Sequence, residues 1–165
     1  MWGARVRRAT IEDAATIAAV HIASADDAYR PLAAEWRAPD AVAREAMWRE
    51  TLASGLVLIA DDGGFAHGGP ARRAEPNVTD EVYAIHVLPA QRGRGLGTAL
   101  WNAIRAQLGA LYVDTLGELA CCRFYERHGG QRIEERPFHF YGAERTHVTY
   151  RFAITAASRQ SSGSP

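Results

Sequence analysis

The run Gln91-Arg92-Gly93-Arg94-Gly95-Leu96-Gly97-Thr98 is where residue type and spacing speak most directly of chemistry in this chain of 165 residues. Three glycines alternate with larger residues. An apolar run ending at Leu88-Pro89 precedes them, and an amphipathic segment from Ala99 to Leu108 follows. That order reads as a strand, a tight turn and a helix N-terminus. A helix N-terminus carries unpaired backbone N–H groups and a partial positive charge, and glycine lets such backbone approach a ligand closely. The chemistry on offer is the binding of a diphosphate. A triphosphate loop requires a lysine after its last glycine. All 19 basic residues here are arginine, so that option fails. A dinucleotide turn requires the spacing G-x-G-x-x-G. Here Thr98 stands where its third glycine belongs, although Asp114 lies at a suitable distance for the acidic residue. A glycine turn without a ligand stays open.

The elements that must position this turn follow from periodicity and punctuation. Thr10-Ile11-Glu12-Asp13 reads as a capping box, opening a helix with Ala14, Ile17, Ala18 and His21 or Ile22 on one face and running to about Ala25. A second helix spans Ala41 to Leu52 and closes at Gly55. Leu56 to Ala60 is a strand, Asp61-Asp62-Gly63-Gly64 a hairpin signal, and Phe65 to Gly69 the antiparallel return. Arg72 to Asp80, with Pro76 and Asn77, reads as a mobile loop. Glu81 to Leu88 is the strand that delivers the glycine turn. Leu111 to Thr115 is a further strand, and Leu119 to His128 is a helix stopped by Gly129-Gly130. Ile133 to Phe138 and Thr146 to Ala153 form a last antiparallel pair. One domain is expected over residues 1–154, with a Ser-rich, disordered tail over 155–165.

Composition excludes several classes. Net charge is zero, which removes any bulk attraction to nucleic acid or to an anionic membrane. Cys121 and Cys122 are adjacent, and the histidines are scattered, so no metal-ligand spacing is visible. Met1-Trp2-Gly3-Ala4-Arg5 lacks the apolar core of a signal peptide. No apolar run approaches the ~20 residues of a membrane span. A cytoplasmic location is expected.

Arg92-Gly93-Arg94-Gly95-Leu96-Gly97 resembles the acyl-coenzyme A motif R-x-x-G-x-G of the GNAT superfamily of N-acetyltransferases. Tyr83 to Pro89 is similar to that family's central strand, which ends in proline before the glycine loop. Phe124-Tyr125-Glu126-Arg127-His128-Gly129-Gly130 resembles its FYxxxGF segment, with Gly130 in place of the last phenylalanine. Arg7-Arg8-Ala9-Thr10 with Asp13 resembles its opening into the first helix. The likeness covers about residues 5 to 153. It implies an α/β (α+β) fold: a mixed, mostly antiparallel sheet splayed at its central strand and flanked by about four helices. It also implies transfer of an acetyl group from acetyl-CoA to a primary amine of a small molecule, peptide or protein, with no metal. It leaves a homodimer open. Two departures stand out. Glu118 occupies the place of a frequent asparagine, and Cys121 that of a frequent alanine.

The same resemblance assigns roles. Backbone groups of Ile85, His86 and Val87 would bond the pantetheine amides, as an added strand bonds a sheet edge. The N–H groups of Gly93, Gly95, Gly97 and Thr98, within the run from Arg92 through Leu96 to Thr98, would hold the diphosphate. Arg92 and Arg94 would help neutralise phosphate. Tyr125 would protonate the departing thiolate, since a phenol near pKa ~10 and a thiol near ~8.5 are well matched. Glu81 is the candidate general base, provided its pKa is raised or a water chain intervenes. On strict alternation it shares a face with Tyr83, Ile85 and Val87. His67 is the rival base, and His86 reads better as a packed, hydrogen-bonded histidine. Tyr29, Trp36, His139 and Tyr141 could line the acceptor entrance, against core packing as the alternative. A non-catalytic acyl-CoA-binding or regulatory domain on the same fold is the second reading. A nucleotide-binding protein, disfavoured by the glycine spacing, is the third.

Overall fold

The computed structural model describes residues 5–60 and 63–154. The expected tail over 155–165, the start Met1 to Ala4 and the pair Asp61-Asp62 of the hairpin signal lie outside the described residues.

Strand β1 (Val6–Arg8) leads into the capping box, where the Thr10 N–H donates to the Asp13 carboxylate at 2.8 Å and Arg7 clamps the same carboxylate at 2.8 Å. Helix α1 (Ala14–Tyr29) follows and buries Ala14, Ile17, Ala18 and Ala25. It runs one turn beyond the expected end, supported by an Asp26–Arg30 pair at helical spacing. Helix α2 (Ala41–Ser54) starts at Asp40, whose side chain accepts from the Ala43 N–H at 2.9 Å, and stops at Gly55. Then come β2 (Leu56–Ala60), β3 (Gly64–Pro70), β4 (Asp80–Val87), α3 (Leu96–Arg105), β5 (Leu111–Leu116), α4 (Cys121–Arg127), β6 (Gln131–Phe140) and β7 (Ala143–Phe152). The seven strands form one sheet in the order β1-β2-β3-β4-β5-β7-β6, antiparallel throughout except for β4 with β5. β1 escapes sequence reading because three residues are too few to display a period. The last hairpin is longer than expected. Its tip is Tyr141-Gly142, at φ 44° and 77°, the signature of a two-residue primed turn.

Each face of the sheet buries its own layer. On one, α3 and α4 cover Leu58, Ala66, Val82, Leu111, Val113, Val148 and Tyr150. On the other, α1 and α2 cover Val57, Ile59 and Phe65, with Ile17 and Trp48 inserted. No helix among the described residues is long and apolar enough to cross a membrane.

Two irregularities in β4 shape everything downstream. First, β3 pairs His67 with Ala84 and Gly68 with Val82, so Tyr83 is an extra residue, a β-bulge. The bulge resets the alternation. Val82, Ile85 and Val87 face α3, while Glu81 turns with Tyr112 to the opposite face. The expectation that Glu81 shares a face with Ile85 and Val87 is therefore corrected. Second, β4 and β5 pair only at Asp80–Leu111 and Glu81–Tyr112. Beyond that short seam the strands splay.

The segment between β3 and β4, expected to be mobile, is anchored across the seam. Arg72 binds the Glu81 carboxylate with its guanidinium and its backbone N–H. Arg73 binds Asp114 on β5 and the Thr149 hydroxyl at 3.0 Å, and lies 4.1 Å over the Tyr112 ring. Proline and polar composition suggested mobility; two adjacent arginines facing two carboxylates remove it.

Candidate active site

The splay opens a cavity of about 760 Å³, reaching from the glycine turn to Tyr83 and Asp114. Its floor at one end is the turn itself. Gly93 and Gly95 sit at φ 75° and 84°, where a side chain would be strained, and the space beside each Cα is open. Gly95 is the N-cap of α3, so the helix begins at Leu96 rather than at Ala99. Ala99 bonds back to the Gly95 carbonyl at 3.0 Å. Gly97 and Thr98 thus lie in the first turn, whose N–H groups have no intrahelical partner. Both line the cavity. This is a cradle with the shape and polarity of an anion site.

The two arginines of the turn differ. Arg92 is engaged: its Nε donates to the Val87 carbonyl at 3.3 Å and its guanidinium meets Asp27 of α1 at 2.5 Å. Arg94 reaches only Gln91, at 2.7 Å, and does not line the cavity. Between the turn and the seam, Ile85, His86 and Val87 form the β4 wall, with no strand paired on their β5 side.

Tyr125, on α4, lines the opposite wall. Its ring is buried against Trp101, Tyr150 and Phe152. Its hydroxyl makes no hydrogen bond to another described residue. Burial pushes its pKa well above the ordinary tyrosine value, and the neighbouring Cys121 and Tyr29 push the same way. It therefore stays protonated and able to donate. Cys121 also faces the cavity, with Thr115 Oγ1 3.2 Å from its Sγ. The neighbouring Cys122 turns inward, donating to the Leu116 carbonyl at 3.4 Å. Glu118 accepts from the Thr146 N–H at 3.0 Å and so ties the start of α4 to β7. At Gly130, a Cβ would come within 2.7 Å of Phe152 and 2.9 Å of the Tyr125 carbonyl. Phe152 fills the volume beside this glycine, which explains why no side chain stands there.

Glu81 does not line the cavity. It is 1% exposed, and Tyr112 donates to it at 2.7 Å beside the Arg72 clamp. Burial alone would raise its pKa, but the Arg72 and Tyr112 hydrogen bonds outweigh burial and the net direction is down. That is opposite to what direct deprotonation of an amine requires, so the expectation of Glu81 as a direct general base is corrected. His67 packs against Trp48 and Tyr83 outside the cavity, and burial lowers its pKa to about 4. His86 lines the cavity, but its ring lies between His21 and Phe65, and its Nδ1 is 3.0 Å from the Ser24 hydroxyl. Burial, with His21 next, holds it at about 3.

On the α1 side the cavity ends at Ala28 and Tyr29. Behind Tyr29 stand Trp36 and Phe140, with Tyr141 edge-on to Trp36. His139 pairs with Glu144 at 2.8 Å in the open and takes no part in the wall. Sequence reasoning missed the Arg72–Glu81–Tyr112 and Arg73–Asp114–Thr149 groupings. The only available signal was a tandem arginine ahead of an acidic strand.

The sequence matches the acetyltransferase (GNAT) domain family over residues 53–129. It is 25% identical over 148 residues to the uncharacterised N-acetyltransferase YuaI of Bacillus subtilis (strain 168), covering 83% of this chain and 86% of that one. Its fold is similar to that of a GCN5-related N-acetyltransferase from Rhodopseudomonas palustris, at TM-score 0.66 and 22% identity over 93% of this chain and 98% of the other. It is similar also to that of an N-acetyltransferase from Staphylococcus aureus Mu50, at TM-score 0.70 and 15% identity, covering 93% and 100%.

Proposed function

We propose that this chain is an N-acetyltransferase of the GNAT superfamily and that it transfers the acetyl group of acetyl-CoA directly to a primary amine of a small molecule, peptide or protein. One observation carries the reading. The hydroxyl of a buried tyrosine, without a partner among the described residues, faces the same cavity as a glycine cradle with open space at two left-handed positions. The cradle residues Gly93, Gly95, Gly97 and Thr98 would take the diphosphate through backbone N–H groups. The unpaired edge of β4 at Ile85, His86 and Val87 would take the pantetheine amides. The thioester would then lie toward Tyr125.

In the transfer, the neutral amine nitrogen attacks the thioester carbonyl, a C–N bond forms and the C–S bond breaks. The nitrogen's surplus proton passes to solvent, and the departing thiolate takes a proton or a hydrogen bond from Tyr125. Glu81 contributes by fixing the seam from which β4 and β5 diverge. The free thiols Cys121 and Cys122 suit a reducing cytoplasm.

Tyr125→Phe tests this. With acetyl-CoA and a panel of amines, kcat should fall by about 10²-fold or more, while the CoA dissociation constant stays within about two-fold. An unchanged kcat removes Tyr125 from the chemistry. CoA binding by the native chain without turnover of any amine replaces the enzyme reading with that of a non-catalytic acyl-CoA-binding domain.

A further inference from the structure

The acceptor end of the cavity has a distinctive charge inventory. On the α1 side of the thioester position its wall is Ala28, Tyr29, Tyr83, Ala84 and Leu119, with Asp114 as the one ionisable carboxylate. Asp114 is already compensated. Arg73 grips it, and the Thr149 hydroxyl donates to it at 2.6 Å. Asp27, further toward the cradle, is paired with Arg92. This wall therefore offers no uncommitted anion for the second ammonium of a polyamine. Among the described residues of this wall none is a cation free for the carboxylate of an amino acid; Arg127, which also lines the cavity, ends α4 one turn after Phe124, the residue that lies against Gly97 of the cradle. Burying either charge without a partner is strongly unfavourable, because the ion gives up its hydration and gains no opposite charge in return.

What the wall does offer is a held aromatic surface. Tyr29 closes α1 and is set by edge contacts with Trp36 and Phe140, ring centroids 5.0 and 5.1 Å away. Trp36 is itself fixed, its indole N–H donating to Asp26 at 3.0 Å. Phe140 arrives from the β6–β7 tip, where Tyr141 adopts a φ of 44° that a bulky residue rarely takes. Arg145 ties the same tip to the Leu32 carbonyl. Two remote segments and a strained turn converge to mount one tyrosine at the cavity. The Tyr29 hydroxyl makes no hydrogen bond to another described residue, and the ring, held from behind by Trp36 and Phe140, also lines the cavity.

We infer that the acceptor is a primary amine on an uncharged aromatic or aliphatic body, and that this body lies against Tyr29. The inference rests on the acetyl-transfer reading above and narrows it to a substrate class.

The test uses the full chain, saturating acetyl-CoA and three probes: 2-phenylethylamine, spermidine and L-glutamate. 2-Phenylethylamine should show a kcat/KM about ten-fold or more above the other two. Tyr29→Ala should lower the ratio of phenylethylamine to spermidine kcat/KM by about ten-fold. A ratio does not depend on the fraction of the variant that folds. Spermidine or glutamate matching phenylethylamine overturns the inference and leaves acetyl transfer standing. An unmoved ratio in Tyr29→Ala removes Tyr29 from recognition. Turnover of none of the three by a chain that still binds CoA overturns both readings.

Discussion

With its carboxylate held by Arg72 and Tyr112, Glu81 stays ionised wherever an amine loses its proton. His67 and His86, held down to about 4 and 3, are already neutral there. Tyr125 is held protonated. None of these four groups changes state between pH 6 and 9. The pH dependence should then belong to the substrate: kcat/KM rises about ten-fold per pH unit, as the neutral fraction of an amine near pKa ~10 must, and levels at the pKa of the amine. Rate profiles with two amines of different pKa check this. A plateau at the same pH for both would identify a titrating protein group instead. In stability the sign is that of a paired acid, opposite to that of an acid whose pKa burial raises. The depressed Glu81 pKa means its pairing stabilises the fold above the ordinary glutamate range near ~4.3 and is lost as pH falls through the lower folded value. Glu81→Gln should thus cost about 1–2 kcal/mol at pH 7, kept modest because Arg72 is largely exposed, and the difference should close under acid.

At the scale of elements, the glycine turn separates backbone from side-chain demands. Gly95 caps α3 at φ 84° with empty space around it, whereas Gly97 lies inside the helix with Phe124 3.6 Å from its notional Cβ. Gly95→Ala should destabilise by about 1–2 kcal/mol through left-handed strain. Gly97→Ala should raise helix stability by about 0.5–1 kcal/mol yet weaken CoA binding, because its methyl would enter the cradle. Urea melts and CoA titration of both variants distinguish the two effects. If Gly95→Ala melts like the native chain, its conformation is not what the helix needs. This turn was legible in the sequence because glycine spacing and the flanking periods report backbone directly. The bulge at Tyr83 was not. One extra residue in a strand leaves composition untouched, and only the register with β3 reveals it. Arg72 and Arg73 were illegible for a related reason: their partners Glu81 and Asp114 lie on two strands whose adjacency no local pattern encodes. The shift of Glu81 from one face to the other followed from that single bulge, and with it went the direct-base role.

The described residues pack as two apolar layers on one sheet, with a smaller cluster around Trp36, and the acid sensitivity is built into the α1/α2 layer. His86 there faces Ser24 and His21 of α1 and Phe65 of β3, with Arg92 and Arg44 near enough to disfavour its cation further. His21 accepts from the Trp48 indole at 3.2 Å and is held at about 4, chiefly by burial. His67 lies beyond Trp48. An unfolded chain protonates each histidine near ~6.5, whereas the native one does not. For a base with a lowered folded pKa, stability is complete above ~6.5 and falls as pH drops below it, until the folded pKa is reached. His86 alone contributes a slope of about 1.4 kcal/mol per pH unit across that window. His21 and His67, only half-buried, add smaller, solvent-screened shares. The carboxylates act lower: Asp13, held at about 2 chiefly by Arg7, gives up its contribution only in stronger acid. Between pH 6.5 and 4.5 the loss should therefore come mainly from histidine and reach about 3 kcal/mol or more, a large part of the ~5–15 kcal/mol typical of a domain. Urea unfolding of the native chain and of His86→Phe at pH 7.5 and 4.5 measures it. The variant should lose about 2–3 kcal/mol less between the two conditions than the native chain. Equal losses would show that His86 is protonated in the folded state and that the layer admits its charge.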